Sequence, residues 1–284
     1  MVFCFGMRRF FSAALPLLLV LALQTRPAVA QPIWTGPPSP NSHLALEWLK
    51  PVLDERGAVS FFTSSFVLSG RAVLSDRLRL VGEIPVSHVR LDADLARSSS
   101  MSASTEVGNP YLGVEIYGSD PSVFVETGLR LPALNSEDLV PASFGAVSDL
   151  NRLGAYVVDQ VPLQVVLNYH WTPSASNFAL RLRGGPELFV PVDDGQGGNM
   201  ILTYGAQGWY TGAKVRVGVG ATGRLNVTQE QAAFGERTLH HVGATVQGLF
   251  GSVRPGLLIR VPADAELSDV LDAVVGITVT VPLP

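Results

Sequence analysis

The chain has 284 residues, 20 basic and 24 acidic side chains, and a formal net charge of −4. Apolar residues make up 47% and charged residues only 15%, where an average soluble domain carries roughly 25% charged residues. This balance excludes a basic nucleic-acid-binding protein, and a single cysteine, Cys4, excludes a disulfide scaffold or a cysteine-built metal site.

The N-terminus carries Arg8 and Arg9, an apolar run from Phe10 to Leu23, and a small-x-small triplet, Ala28-Val29-Ala30. That layout is a secretory signal peptide over residues 1–30, cleaved before Gln31. The alternative, a helical anchor, needs about 20 apolar residues, more than this run supplies. Cys4 leaves with the peptide, so it is no lipid-attachment site. Residues 31–42 then form a short N-terminal segment, and 43–284 the body of the protein.

Mean hydropathy is +0.29, a membrane-like value, yet no apolar run after Leu23 approaches the length of a spanning helix. A chain of this kind has one other way across a bilayer, a closed barrel. Lysine use agrees, because Lys50 and Lys214 are the only lysines and a large solvated surface usually carries many.

Period-two alternation runs through the chain. Leu78, Leu80, Ile84 and Val86 alternate with Arg79 and Glu83, and Val123, Val125, Leu129 and Leu131 alternate with Glu126 and Arg130. The pattern returns at Phe178, Leu180, Leu182, Leu188 and Val190 against Arg181, Arg183 and Glu187. It is longest from Thr211 to Val227, where Val215, Val217, Val219 and Leu225 alternate with Lys214, Arg216 and Arg224. Strands of this length exceed the usual 5–6 residues of a globular strand and fit the 9–11 of a tilted membrane strand. Twelve strands are predicted, over 43–50, 61–74, 77–90, 107–118, 122–133, 160–171, 177–190, 199–209, 211–227, 238–250, 254–263 and 270–281. Short links at Ser75-Asp76, Gly118–Pro121, Thr172–Ser174, Trp209-Tyr210 and Gly251-Ser252 alternate with longer ones. The prediction is an all-β fold, an antiparallel up-and-down transmembrane β-barrel in the outer membrane.

Within the longest link, 134–159, a short helix is expected from Ser148 to Val157, either folded into the barrel mouth or lying on the surface. Pro85, Pro132, Pro191 and Pro262 are expected at the rim, since proline cannot donate to a ladder. Trp48, Tyr169, Trp171, Tyr204, Trp209 and Tyr210 are expected in an interfacial girdle.

The segments Gly108-Asn109-Pro110-Tyr111-Leu112-Gly113-Val114-Glu115 and Leu80-Val81-Gly82-Glu83-Ile84-Pro85, with Leu68-Ser69-Gly70-Arg71 and the Ser75-Asp76 turn, resemble outer-membrane barrels grouped as meta-pathway phenol degradation or transporter-type proteins. The resemblance covers residues 44–130 and the rest by pattern alone. It implies a barrel of about twelve strands that passes small, partly apolar molecules, and it supplies no catalytic residues. The chain departs from many such barrels at its end, Val279-Thr280-Val281-Pro282-Leu283-Pro284, which lacks a terminal aromatic.

If the apolar parity faces lipid, the lumen-lining set is Glu47, Arg71, Arg79, Glu83, Glu115, Glu126, Arg130, Arg181, Arg183, Glu187, Lys214, Arg216, Arg224 and Arg260. These are five acidic and nine basic residues. The wall would either be filled by ion pairs or form a pore with a mild anion preference. No hydrolytic constellation surrounds His43, His88, His170, His240 or His241, and adjacent His240 and His241 must face opposite sides of a strand. Asp193-Asp194-Gly195 reads as a solvated turn and the Gly218–Gly223 run as a strand, not a phosphate loop. No cofactor and no metal is expected. The expected partners are outer-membrane lipid, the barrel-assembly machinery and a small solute, with no nucleic acid. The alternatives are a closed structural or interaction barrel and a soluble secreted β-protein.

Overall fold

The computed structural model describes residues 34, 36–37, 41–53, 63–90, 103–174, 176–192, 198–229 and 233–283. The proposed signal peptide and the Asp193-Asp194-Gly195 turn lie outside them.

Thirteen strands form one antiparallel sheet: β1 His43–Leu53, β2 Ser64–Val73, β3 Leu78–Arg90, β4 Ala103–Val107, β5 Tyr111–Tyr117, β6 Val123–Arg130, β7 Gln160–Trp171, β8 Phe178–Pro191, β9 Asn199–Thr211, β10 Val215–Asn226, β11 Thr238–Gly248, β12 Arg254–Pro262 and β13 Leu271–Pro282. Apart from β4 and β5, which both pair with β3, each pairs with its neighbours in sequence, and β1 pairs with β13 from His43↔Pro282 to Leu53↔Leu271, which closes the ring. β4 and β5 occupy a single place beside β3, so the barrel has twelve staves. That stave was expected as one strand, 107–118. It begins earlier and breaks at Gly108-Asn109-Pro110, where the register on β3 slips by one residue.

The break also explains Pro85, which lies inside β3 and not at the rim. It falls between Glu83, the last residue paired with β5, and Val86, the first paired with β4, so its missing N–H breaks no rung. Its carbonyl accepts from the Gly108 N–H. A similar lapse separates β7 and β8. Gln164↔Glu187 and Leu167↔Gly184 are paired, but Val165 and Val166 lack rungs opposite Gly185-Pro186.

The alternation sets the faces. Along β1, Leu46 is 48% exposed and its neighbour Glu47 is 1% exposed. Leu112 and Ile116 flank a buried Glu115, and Val217 and Val219 on β10 point outward with Leu257 and Ile259 on β12. Burying one such side chain is worth about 1.5–3 kcal/mol, so a belt on every stave is untenable in water and is matched by lipid. No helix among the described residues is long and apolar enough to cross a membrane.

Both described chain ends and the short turns share one end of the barrel. The longer links, including 131–159 and 263–270, share the other. Three details differ from expectation. The turn after β9 is Gly212–Lys214, so Lys214 is exposed at the rim and does not line the lumen. Trp209 points inward and is 1% exposed, so it is no girdle residue. The helix of the 134–159 link, α1, spans Leu139–Ser148 and ends where the predicted one began. A capping box between Asn135 and Asp138 starts the preceding 3-10 turn, and Pro141 sits in the first helical turn, where its missing N–H costs little. Asp149, with φ −144° and ψ 80°, ends the helix, and Leu150–Tyr156 continue as 3-10 turns.

Candidate functional site in the barrel lumen

The 134–159 link folds into the barrel, which resolves the two placements left open by its sequence. Three anchors hold its course. Ser87 Oγ donates to the Pro141 carbonyl (2.5 Å), Tyr156 and Ser65 share a hydrogen bond, and Asn109 Nδ2 donates to the carbonyls of Gly154 (3.2 Å) and Val157 (2.6 Å). The Asn109 side-chain oxygen accepts from the N–H groups of Ala133 and Leu134. The break between β4 and β5 therefore supplies the residue that ties both ends of the plug.

The centre of the plug is Arg152, 4% exposed. Its guanidinium donates to Glu47 Oε1 (2.5 Å), Glu83 Oε1 (2.9 Å) and Asp149 Oδ2 (2.5 Å). Arg130 Nη2 joins Glu83 at 2.6 Å, and Arg260 Nη1 joins Asp149 at 2.7 Å. Arg260 Nη2 also donates to the Ser148 carbonyl (2.9 Å). Beside this chain Arg224 pairs with Glu187 and donates to the carbonyls of Leu150 (2.8 Å) and Asn151 (3.1 Å). Gly154 allows this approach, because a Cβ there would collide with the Glu187 carboxylate. Arg130, Arg152, Arg224 and Arg260 thus face Glu47, Glu83, Asp149 and Glu187, four charges of each sign. Burial pushes the Asp149 carboxyl up, but Arg260 and Arg152 outweigh it and hold the group well below the usual carboxylate range. A buried charge left without its partner is costly, so this network keeps its members together.

The short-turn half of the lumen is different. Glu115 takes Arg71 and lies 3.9 Å from Arg79. Arg79 also bonds Tyr117 Oη and lies 3.8 Å from the centre of its ring, which stacks on Phe124 at 4.6 Å. Glu126 contacts Tyr111 Oη (3.2 Å) and Gln164 Nε2 (3.0 Å) and forms no ion pair among the described residues. Arg181 is 6% exposed and gives Nε (2.9 Å) and Nη2 (2.6 Å) to Asn168 Oδ1. Arg216 donates to Thr211 Oγ1 (3.1 Å) and Gln247 Oε1 (3.2 Å). Arg183 is half-buried beside Glu187 and Arg224. Trp209 Nε1 donates to the Trp34 carbonyl (3.1 Å), so the N-terminal segment also reaches the lumen. Gly218 makes room for that indole, which lies where a Cβ would stand.

Two solved structures share this architecture. An outer-membrane channel from Pseudomonas putida F1 is 14% identical, with a TM-score of 0.51, over 89% of this chain and 99% of its own. The NanC porin is 7% identical, with a TM-score of 0.52, over 85% of this chain and 100% of its own. At these identities the likeness is one of fold. No family model matches the chain, and no curated protein matches it.

Sequence reasoning missed the plug's own charges. Asp149 and Arg152 sit three apart in a link with no alternation to orient them, and only the fold brings them to Glu47 and Arg260. The two histidines of β11 face opposite sides. His241 is buried in the lumen, and His240 lies outside between Tyr204 Oη (2.6 Å) and Asp264 Oδ1 (2.8 Å).

Proposed function

We propose that this chain is exported, loses residues 1–30, and acts in the outer membrane as a narrow, plugged diffusion channel for small solutes. One observation carries the reading: the middle of the lumen is walled and filled by charged and hydrogen-bonding groups, while the apolar cluster of Leu49, Leu258, Leu271 and Val274, with Val147 of the plug helix against it, is confined to the long-link end. A wall of that kind supports hydrated passage once its plug yields. The proteins that share the fold include one titled a channel and one titled a porin, which agrees with this reading. By the topology rule of such barrels the short turns face the periplasm and the plug enters from outside. The barrel-assembly machinery inserts the chain, and no chemistry is catalysed. The phenol-degradation resemblance points to partly apolar solutes, whereas the wall found here favours polar ones.

Planar-bilayer recording of the refolded chain tests the proposal. Discrete current steps are expected, larger in Arg152→Ala, where the plug loses its central cation. An absence of steps in both proteins, with no solute entry into liposomes, would leave a closed structural barrel as the reading.

A further inference from the structure

The outer surface of the barrel is not the same on every stave. At the long-link end β1, β2 and β3 lie side by side, with Trp48 opposite Phe66 and Phe66 opposite Val86. One outward row closer to that end, Ser64 stands opposite His88, Lys50 follows Trp48 on the same face of β1, and Arg90 follows His88 on β3. One row below, toward the middle of the barrel, Leu46, Leu68 and Ile84 are paired in register and 48%, 45% and 41% exposed. These three staves therefore carry a cationic edge above a continuous apolar track. On β8 and β12 the outward residues at this end, Val190 and Val261, are apolar instead.

A second observation points to the same place. A groove of about 330 Å³ opens in this patch, lined by Trp48, Ser64, Phe66, His88 and Arg90. Ser64 is the small residue among large neighbours, and the depression lies over it. No carboxylate of the described residues lines the groove. The exposed Asp272 of β13 stands at the bulge opposite Val52 and Leu53, across β1 from the groove. The cationic wall is held in place. Thr63 Oγ1 donates to the Arg90 carbonyl (3.2 Å) and accepts from the Arg90 N–H (3.1 Å), and His88 Nδ1 lies 2.7 Å from Thr105 Oγ1.

We propose that this groove binds the phosphorylated head group of a membrane lipid, with an acyl chain laid down the track beneath it. The Arg90 guanidinium presents a fork of donors that matches two phosphate oxygens. His88 Nδ1 accepts the Thr105 hydroxyl, which leaves the ring proton on Nε2 to donate to the same phosphate. Lys50 adds attraction from the neighbouring strand, as basic residues at a membrane surface do. The acyl chain covers Phe66, Leu68 and Ile84, apolar against apolar. Free phosphate would engage the cations and leave that track unused, so the combination selects a lipid. The site rests on the apolar belt facing lipid and lies outside the lumen, so it is independent of the channel reading.

Native mass spectrometry of the full chain, refolded in a neutral detergent, tests it. The probe is dimyristoyl phosphatidate, and dimyristoylglycerol supplies the same chains without the phosphate. Retention of phosphatidate and not of dimyristoylglycerol is expected, and excess inorganic phosphate should not displace it. Arg90→Gln should weaken phosphatidate binding about tenfold, the loss of one charge-assisted contact, and Phe66→Ala should weaken it several-fold. Arg90→Lys keeps the charge and should retain part of the binding. Lys214→Gln removes an exposed cation at the opposite rim and should leave binding unchanged. A heat-modifiable gel shift identifies the folded variants, and the comparison is made among those. Equal retention of the two lipids, or phosphatidate binding unchanged in folded Arg90→Gln with His88→Gln, overturns the site. Displacement by inorganic phosphate at the lipid's own concentration overturns the lipid assignment and leaves a site for a free anion.

Discussion

Arg152 is the residue on which the lumen turns. It serves three carboxylates, from β1, β3 and the plug itself, so its loss strands Glu47, Glu83 and Asp149 together. Removing one partner of a buried pair typically costs about 3–5 kcal/mol. Arg152→Ala is therefore expected to lower the temperature of the heat-modifiable gel shift and to raise conductance. Arg152→Lys keeps the charge but cannot reach three acceptors in a plane, and an intermediate effect is expected. Asp149 adds a pH signature. Its folded-state carboxyl lies below its unfolded value, so its contribution is complete above the ordinary carboxylate range and is lost only as pH falls through the lowered value. Folded protein scanned downward from pH 7 should show no loss of plug closure from Asp149 itself near pH 4, whereas Asp149→Asn should weaken closure at every pH.

At the scale of elements, the strands were legible because each has one lipid face and one wet face, and a period of two cannot be mistaken over ten residues. Boundaries failed where a local device interrupts the period. Gly108-Asn109-Pro110 splits one stave, and the Gly212–Lys214 turn takes Lys214 off the wall. Trp209 has the outward look of a girdle aromatic, but its parity matches Gln207 and it fills the space over Gly218. The plug was the least legible element. Its 3-10 turns have no amphipathic stripe, and their fixing bonds come from residues as far as 105 positions away, as with Glu47 and Arg152. Replacing residues 136–157 by a short Gly-Ser linker should leave a folded barrel with several-fold higher conductance. Asn109→Ala, which frees both ends of the plug while sparing its charges, should give a smaller rise. If both variants conduct as the parent does, the plug is not the constriction.

At the scale of the whole molecule, the exterior decides what solvent the protein needs. Composition and the missing apolar helices pointed to a barrel, but alternation fits a soluble sandwich equally well, with its apolar face inward. The closed ring settles the direction, since charged residues are inside and Val219, 67% exposed near the middle of β10, is outside. This has a measurable consequence. On a water-facing surface Val219→Arg would be nearly neutral, within about 0.5 kcal/mol. At the middle of a bilayer it should cost about 2–4 kcal/mol, falling to about 0–1 near the interface. Val270, 56% exposed in the link before β13, provides the comparison at the rim. Chemical unfolding of Val219→Arg and Val270→Arg in lipid vesicles should therefore separate the two by roughly 1–4 kcal/mol. Equal, small effects at both positions would mean that this belt does not face lipid.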